Sequence, residues 1–326
     1  MLVVTPNLCF DVTVRLPALV PGAVLRASHT TTSAGGKGVN VVRSSRATGT
    51  TGTRLIGFRP QNDGARLTEL LRREGTELLG VDADGDVRVA TIFLEQSGRT
   101  TVVNGRGPEI TAEQWQSLLD AVAATLRPGE TLVCSGSLPP GVAADGYAQL
   151  VALAHERGCP AVVDAAPAPL LAALAQRPDL ISPNLSEAEG LLDGSTSEQV
   201  DETGDDIAER AVRAATELHR RGAVRAVVTA GSSGAALSTD EGTWWFTAPR
   251  AVVVSPIGAG DSFVGGAAPL LENSGSADDV ALVIRGVATA SASCEQELAG
   301  GVDPVRVTEL AAQITVTAHQ PSGALR

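Results

Sequence analysis

Lysine is nearly absent from this chain: its 326 residues include one, Lys37, and every other basic side chain is arginine. Aromatic residues make up only 3% and methionine a single residue, while 43% of the chain is apolar. A core short of such bulk must be filled by Val, Leu, Ile and Ala, the composition of buried parallel strands, which predicts an α/β protein. Positive charge is also short. With a net charge of −12 and scattered arginines, the chain lacks the basic stripe of a nucleic-acid binder. Cys9, Cys134, Cys159 and Cys294 include no CxxC pair and lie in or beside apolar sequence. They read as small buried thiols, not as metal ligands or a disulfide framework. His29, His155, His219 and His319 are dispersed without metal-ligand spacing. No long uncharged run and no basic leader before Leu2-Val3-Val4-Thr5 are found, so a soluble cytoplasmic protein with no membrane partner is expected.

The length exceeds that of an average domain, but α/β folds reach it as one unit, and a single domain over residues 1–326 with a small appendage is predicted. From about residue 110, strand-like and helix-like runs alternate. Thr111 and Gln114 form a capping-box pattern opening a helix to about Leu126, and Thr131–Ser135 reads as a strand. There follow a helix near 143–157, a strand at Ala161–Asp164, a helix near 168–176 and a strand at Leu180–Pro183. Ile207, Val212, Ala215 and Leu218 mark one face of a helix that Gly222 can cap, before a strand at Arg225–Ala230. This is the rhythm of a doubly wound, mostly parallel sheet flanked by helices. Residues 11–34 and 88–105 break it with strand-like alternation and no helix, the pattern of a small separate sheet or lid. The acidic, turn-rich stretch Asp193–Asp206 reads as a solvated loop.

Four segments carry candidate chemistry. Lys37 sits in Ser33-Ala34-Gly35-Gly36-Lys37-Gly38-Val39-Asn40, where a compact ammonium among glycines suits a phosphate or hydroxyl at close quarters. In Val252-Val253-Val254-Ser255-Pro256-Ile257-Gly258-Ala259-Gly260-Asp261-Ser262-Phe263, a buried strand is expected to end in a glycine turn before a helix. Amides of Ala259, Gly260 and Asp261 can converge there on developing negative charge, and Asp261 stands where a general base would belong. An ordinary first-turn acid stabilised by the helix dipole has the same sequence signature. In Pro183-Asn184-Leu185-Ser186-Glu187, Asn184 and Glu187 fall at the carboxyl edge of the sheet. They either hold Mg²⁺ through water beside a nucleotide phosphate or belong to a helix start capped by Ser186. Thr229-Ala230-Gly231-Ser232-Ser233-Gly234 is a turn that can line an adenine nucleotide.

The motifs Gly-Gly-Lys-Gly-x-Asn, Pro-Asn-x-x-Glu, Thr-x-Gly-x-x-Gly and Gly-Ala-Gly-Asp-Ser occur in that order along one chain. The sequence thereby resembles the ribokinase-like, or PfkB, family of sugar kinases over nearly its whole length. The resemblance implies an ATP-dependent carbohydrate kinase with a ribokinase-like fold and a β lid often used for homodimerisation. It implies that Asp261 deprotonates the acceptor hydroxyl while the Gly258, Ala259, Gly260 and Asp261 amides stabilise the transferring phosphoryl group. Asp11, Gly35, Gly36, Lys37 and Asn40 are assigned by it to the sugar pocket. Asn184, Thr229, Gly231 and Gly234 are assigned to ATP, and Glu187 to Mg²⁺.

Thr5-Pro6-Asn7 with Asp11, Arg88, Gly107-Pro108-Glu109-Ile110 and Ser135-Gly136-Ser137-Leu138-Pro139-Pro140-Gly141 are similar to the branch containing 1-phosphofructokinase and tagatose-6-phosphate kinase. That likeness carries Arg88 and Ser137 into a sugar-phosphate site and makes fructose 1-phosphate the expected acceptor. Tagatose 6-phosphate, fructose 6-phosphate, an unphosphorylated sugar or a nucleoside are alternatives, as is a non-catalytic sugar-phosphate sensor. The chain departs from the branch at Leu8, Pro256 and Val102. A nicotinamide dehydrogenase is disfavoured because Gly35-Gly36-Lys37-Gly38 lacks the Gly-x-Gly-x-x-Gly spacing.

Overall fold

The computed structural model describes residues 1–194, 204–272 and 278–319. The amino-terminal third contains β1 (Leu2–Val4), β2 (Cys9–Leu16), β3 (His29–Gly35), α1 (Lys37–Ala47), β4 (Arg54–Asn62), α2 (Gly64–Arg73), β5 (Leu78–Asp86), β6 (Arg88–Glu95) and β7 (Thr100–Asn104). The middle contains α3 (Ala112–Thr125), β8 (Leu132–Ser135), α4 (Gly146–Glu156), β9 (Ala161–Asp164), α5 (Pro167–Leu174), β10 (Leu180–Ile181), α6 (Leu185–Asp193) and α7 (Ile207–Arg220). The last third contains β11 (Ala226–Ala230), β12 (Gly234–Thr239), β13 (Gly242–Thr247), α8 (Ala259–Ala267), α9 (Asp279–Cys294), α10 (Pro304–Ala311) and β14 (Thr315–His319).

Ten strands form one sheet in the order β14-β13-β12-β11-β10-β9-β8-β1-β4-β5. Pairing is parallel from β11 to β5 and antiparallel from β11 to β14. Successive side chains of a strand point to opposite faces, and the apolar strands divide accordingly. Leu2, Val4, Leu132, Cys134 and Val163 pack with α3 to α7, whereas Val3, Val133, Val162, Leu180 and Val227 pack with α1, α2, α8 and α9. Both faces are covered, as the near-continuous apolar runs predict. A second sheet, ordered β3-β2-β6-β7, forms the lid. Its inner pair β2 and β6 runs parallel, flanked by antiparallel partners.

Several boundaries shift. The helix expected near 143–157 starts only at Gly146, and the strand expected at Leu180–Pro183 stops at Ile181. The helix after it starts at Leu185 with Asn184 as its cap, not Ser186. The largest correction concerns Val252-Val253-Val254, which form no strand and are 77%, 62% and 54% exposed. Their backbone is tied to the end of α9, with the amides of Val254 and Ser255 both donating to the Cys294 carbonyl at 2.8 and 3.1 Å. In the acidic stretch 193–206, residues 195–203 lie outside the described residues, and the described ends are exposed. All four cysteines are free; three are buried and Cys294 is half-buried. Among the described residues no helix is long and apolar enough to cross a membrane.

The capping box of α3 is formed as its sequence predicts: Thr111 Oγ1 accepts from the Gln114 amide at 3.2 Å, and the Thr111 amide donates to Gln114 Oε1 at 3.0 Å. Thr111→Ala should therefore lower unfolding free energy by about 1 kcal/mol in urea titration. Turnover should not change, because neither Thr111 nor Gln114 lines the cavity between the small sheet and α8.

Candidate active site

Strand β1 lies between β4 and β8, and the chain winds first toward β4 and only later toward β8. Loops leaving the carboxyl ends of β1 and β8 thus part in opposite directions, which opens the crevice where doubly wound sheets bind ligands. Gly36 caps α1 at a φ of 113°, so Lys37 opens the helix beside the loop after β8. Lys37 Nζ donates to Asp164 Oδ1 at 3.2 Å, Asp164 being the last residue of β9 and 4% exposed. Burial works to strip the Lys37 proton, but the carboxylates of Asp164, Asp261 and Glu187 outweigh it and hold the ammonium above the ordinary lysine range. Three chain segments, β9, α8 and α6, therefore bring a carboxylate to bear on one cation.

Asp261 is the third residue of α8 and 6% exposed. Burial is the main cause that raises its pKa to about 7; Lys37 opposes the rise, Asp164 and Asp11 add to it, and an Asn40 hydrogen bond opposes it. Asn40 Nδ2 donates to Asp261 Oδ2 at 2.8 Å. The helix begins at Gly258, whose φ of 82° is left-handed, and a Cβ there would stand 3.1 Å from Ala299 Cβ and 3.2 Å from the Gly300 nitrogen. Conformation and space both select glycine. No side chain caps this helix, and the Ala259 amide meets the Pro256 carbonyl at 3.3 Å. The first-turn amides of Gly260 and Asp261 lack intrahelical acceptors, which makes the helix start a candidate anion site.

The lid side is built on Asp11. Its carboxyl fills the space of a side chain at Gly35, where a Cβ would lie 2.2 Å from Asp11 Cγ, so Gly35 is what lets the acid enter. Burial raises the Asp11 pKa, opposed by the Cys9 thiol donating at 3.2 Å and by Arg43 and Arg88 nearby. Asn7 joins the two residues assigned to sugar phosphate: its Nδ2 donates to Ser137 Oγ at 3.0 Å, and its carbonyl accepts from Arg88 Nε at 3.0 Å. A cavity of about 260 Å³ lies between the lid and the α8 loop, lined by Asp11, Thr13, Ser33, Arg43 and Ile257. A larger depression of about 700 Å³ lies elsewhere, beside α2 and β5, among charges already paired as Arg59–Asp82 and Arg72–Glu69.

On the other side, Asn184 and Glu187 form a reciprocal capping box for α6, the Asn184 side chain accepting from the Glu187 amide at 2.8 Å and the reverse bond at 2.9 Å. Asn184 also bridges Thr229 in parallel. Both residues thus serve the helix start, and the Glu187 carboxylate also acts on Lys37. Gly231 opens a short 3-10 turn at a φ of 51°, and Gly234 starts β12 against Thr247. Among the described residues no group of three or more His, Cys, Asp or Glu could hold a metal directly. Of the departures from the branch pattern, Leu8 is buried in the core and Val102 is 45% exposed on β7.

Sequence reasoning missed Asp164, Asn7 as a bridge, and Arg43. Asp164 was legible as a charge closing an otherwise apolar strand; Arg43, one helical turn beyond Asn40, carried no local signal.

Comparison with known proteins shows what this chain is similar to. A 1-phosphofructokinase of Xanthomonas campestris pv. campestris is 33% identical over 325 residues, spanning 97% of each chain. One from Bacillus subtilis is 29% identical over 263 residues, 81% of this chain and 82% of its own. The structure of phosphofructokinase-2 from Escherichia coli in complex with fructose-6-phosphate superimposes with a TM-score of 0.82 at 27% identity, covering 96% of this chain and 98% of that one. The pattern of the pfkB family carbohydrate kinases matches residues 3–306, and with a full-length relative above 30% identity the chain belongs to that family of phosphotransferases.

Proposed function

We propose that this kinase transfers the γ-phosphoryl group of ATP to a ketohexose phosphate, with fructose 1-phosphate as acceptor and fructose 1,6-bisphosphate as product. The observation that carries the proposal is Asp261, a buried carboxylate with a pKa of about 7 at an uncapped helix start, facing Lys37. The acceptor O–H gives its proton to Asp261, the oxygen forms a bond to the γ-phosphorus, the β–γ bridging P–O bond breaks, and ADP leaves. Negative charge developing on the transferred group meets the Gly260 and Asp261 amides and the Lys37 ammonium, so positioning and electrostatics supply the catalysis. Asn184, Thr229, Gly231 and Gly234 line the nucleotide side. Mg²⁺ would be held on the Asn184–Glu187 side and would supply charge neutralisation for the transferring phosphoryl group. Glu187 would reach it through water.

The acceptor phosphate is placed at Arg88, Ser137 and Asn7. Among the described residues the Arg88 Nη atoms have no hydrogen-bond partner, which leaves a charged fork for an anion. Fructose 6-phosphate is the second reading, favoured by the ligand of the Escherichia coli relative. A cytoplasmic location and a homodimer through the lid, whose β6 and β7 expose Val89, Val102 and Val103, belong to the same proposal.

ADP release measured across fructose, fructose 1-phosphate, fructose 6-phosphate and tagatose 6-phosphate should be fastest with a phosphorylated sugar. Arg88→Ala should raise KM for that sugar phosphate about 10- to 100-fold and leave KM for ATP nearly unchanged. Equal turnover of free fructose, or an unmoved KM, would contradict the phosphate site.

Asp261→Asn should fold, bind nucleotide and lose roughly 10² to 10⁴ in kcat, the range for a positioned base. Because the base acts ionised and its pKa is about 7, kcat/KM should be level above that pH and fall about tenfold per pH unit below it. A parent profile level down to pH 5 would remove Asp261 from the role.

Glu187→Gln keeps the capping box, since glutamine can accept from the Asn184 amide. Its activity should need more Mg²⁺ than the parent, with half-saturation read from a Mg²⁺ titration. An unchanged titration would return Glu187 to a helix-capping role alone.

A further inference from the structure

Arg43 lies on α1 three residues after Asn40, and its side chain is only 8% exposed. All five of its N–H donors have acceptors. Nε and Nη2 grip Glu74 bidentately at 2.7 and 2.9 Å. Nη2 also donates to the Ala34 carbonyl at 2.8 Å, and Nη1 to the Ala299 carbonyl at 3.2 Å and to Asn40 Oδ1 at 2.9 Å. The last contact has a directional consequence. A guanidinium has no acceptor, so the Asn40 amide must turn its oxygen toward Arg43 and its NH₂ toward Asp261, which it reaches at 2.8 Å. Reversing the amide would set NH₂ against N–H on one side and a carbonyl oxygen against a carboxylate on the other.

We propose that Arg43, anchored by Glu74, is a positioning residue for phosphoryl transfer: it fixes the Asn40 amide so that Asn40 donates to the catalytic carboxylate of Asp261. The proposal rests on Asp261 being the base. The same guanidinium holds Ala34, at the end of β3 that leads into α1, and Ala299, after α9, so the lid's attachment and the base's hydrogen-bond partner share one anchor.

The sign of the effect follows from the surroundings. The charged groups facing Asp261 are Lys37 from α1, Asp164 from β9 and Asp11 from β2; Glu187 from α6 acts on Lys37, and Arg43 and Arg88 act on Asp11. Of these, Lys37 favours the ionised base, joined by the Asn40 amide, while the two carboxylates oppose it. If the amide is free to turn, Asp261 loses a donor and takes up its proton at higher pH.

The test is a set of kcat/KM profiles from pH 5 to 9 for the parent, Arg43→Met, Asn40→Ala and the double variant, with folding checked by circular dichroism. Arg43→Met should move the acidic limb upward by about one pH unit, so that the loss at pH 6 exceeds the loss at pH 9 about tenfold. In the Asn40→Ala background the same change should move the limb no further, because Arg43 acts through that amide. If Arg43→Met does not fold, Glu74→Gln removes the anchor while sparing the donors, and a smaller shift in the same direction is expected. An activity loss with an unmoved limb, or limb shifts that add in the double variant, would overturn the proposal and leave Asp261 as base intact. A parent with no acidic limb would overturn the base itself, and the positioning role with it.

Discussion

A carboxylate buried at a sheet crossover is the condition that the rest of the site answers. Removing a lone carboxylate from water costs several kcal/mol even after relaxation, and unopposed burial would leave Asp261 a permanent acid. A fully compensated pair would leave it a weak base. Here one ammonium and one amide pull toward ionisation while Asp164 and Asp11 push against it, and the balance falls near neutrality. Lys37 can do this without fully offsetting the burial of Asp261 because its charge is shared among three carboxylates. An arginine in that position would offer a planar fork matched to Asp164 alone.

The fold makes that balance geometrically cheap to assemble. Parallel strands β1, β8 and β9 end side by side, so the loop after β1, the Gly136–Ser137 turn and Asp164 reach the same crevice without long excursions. The lid arises from the chain leaving β1 and returning through β3 directly into α1, which ties Asp11 and Lys37 to opposite ends of one short path. Tyr147, fully buried, donates to the Gly136 carbonyl at 3.0 Å and fixes the turn that carries Ser137.

Much of this was legible in sequence where one physical rule dominated. Apolar four-residue runs such as Ala161–Asp164 became central strands because nothing else buries them, and Thr111 with Gln114 capped a helix as written. The rule failed where tertiary context decided. Val252-Val253-Val254 has the β-branched composition of a buried strand, yet the segment joins neither sheet and its backbone is bonded instead to the end of α9. The Pro183–Glu187 segment fitted both a helix start capped by Ser186 and a metal approach, and the cap that forms is Asn184 with Glu187. Arg43 could not be singled out, because its meaning lies in four acceptor residues from separate parts of the chain, Ala34, Asn40, Glu74 and Ala299.

The scarcity of lysine reaches beyond the crevice. Between the histidine and arginine ranges, roughly pH 8 to 12, a protein sheds protons mainly from Cys, Tyr and Lys side chains. This chain has four cysteines, one tyrosine and one lysine. Burial raises all four thiols and carries the Tyr147 phenol well above its usual value, while carboxylates hold the Lys37 proton in place. Few side chains are thus available to buffer that interval, and burial or ion pairing pushes each of them upward. With so few groups to lose a proton, the negative charge of the molecule changes less across the alkaline range than that of a lysine-rich protein, and so do its electrophoretic mobility and the potential felt by an approaching anion.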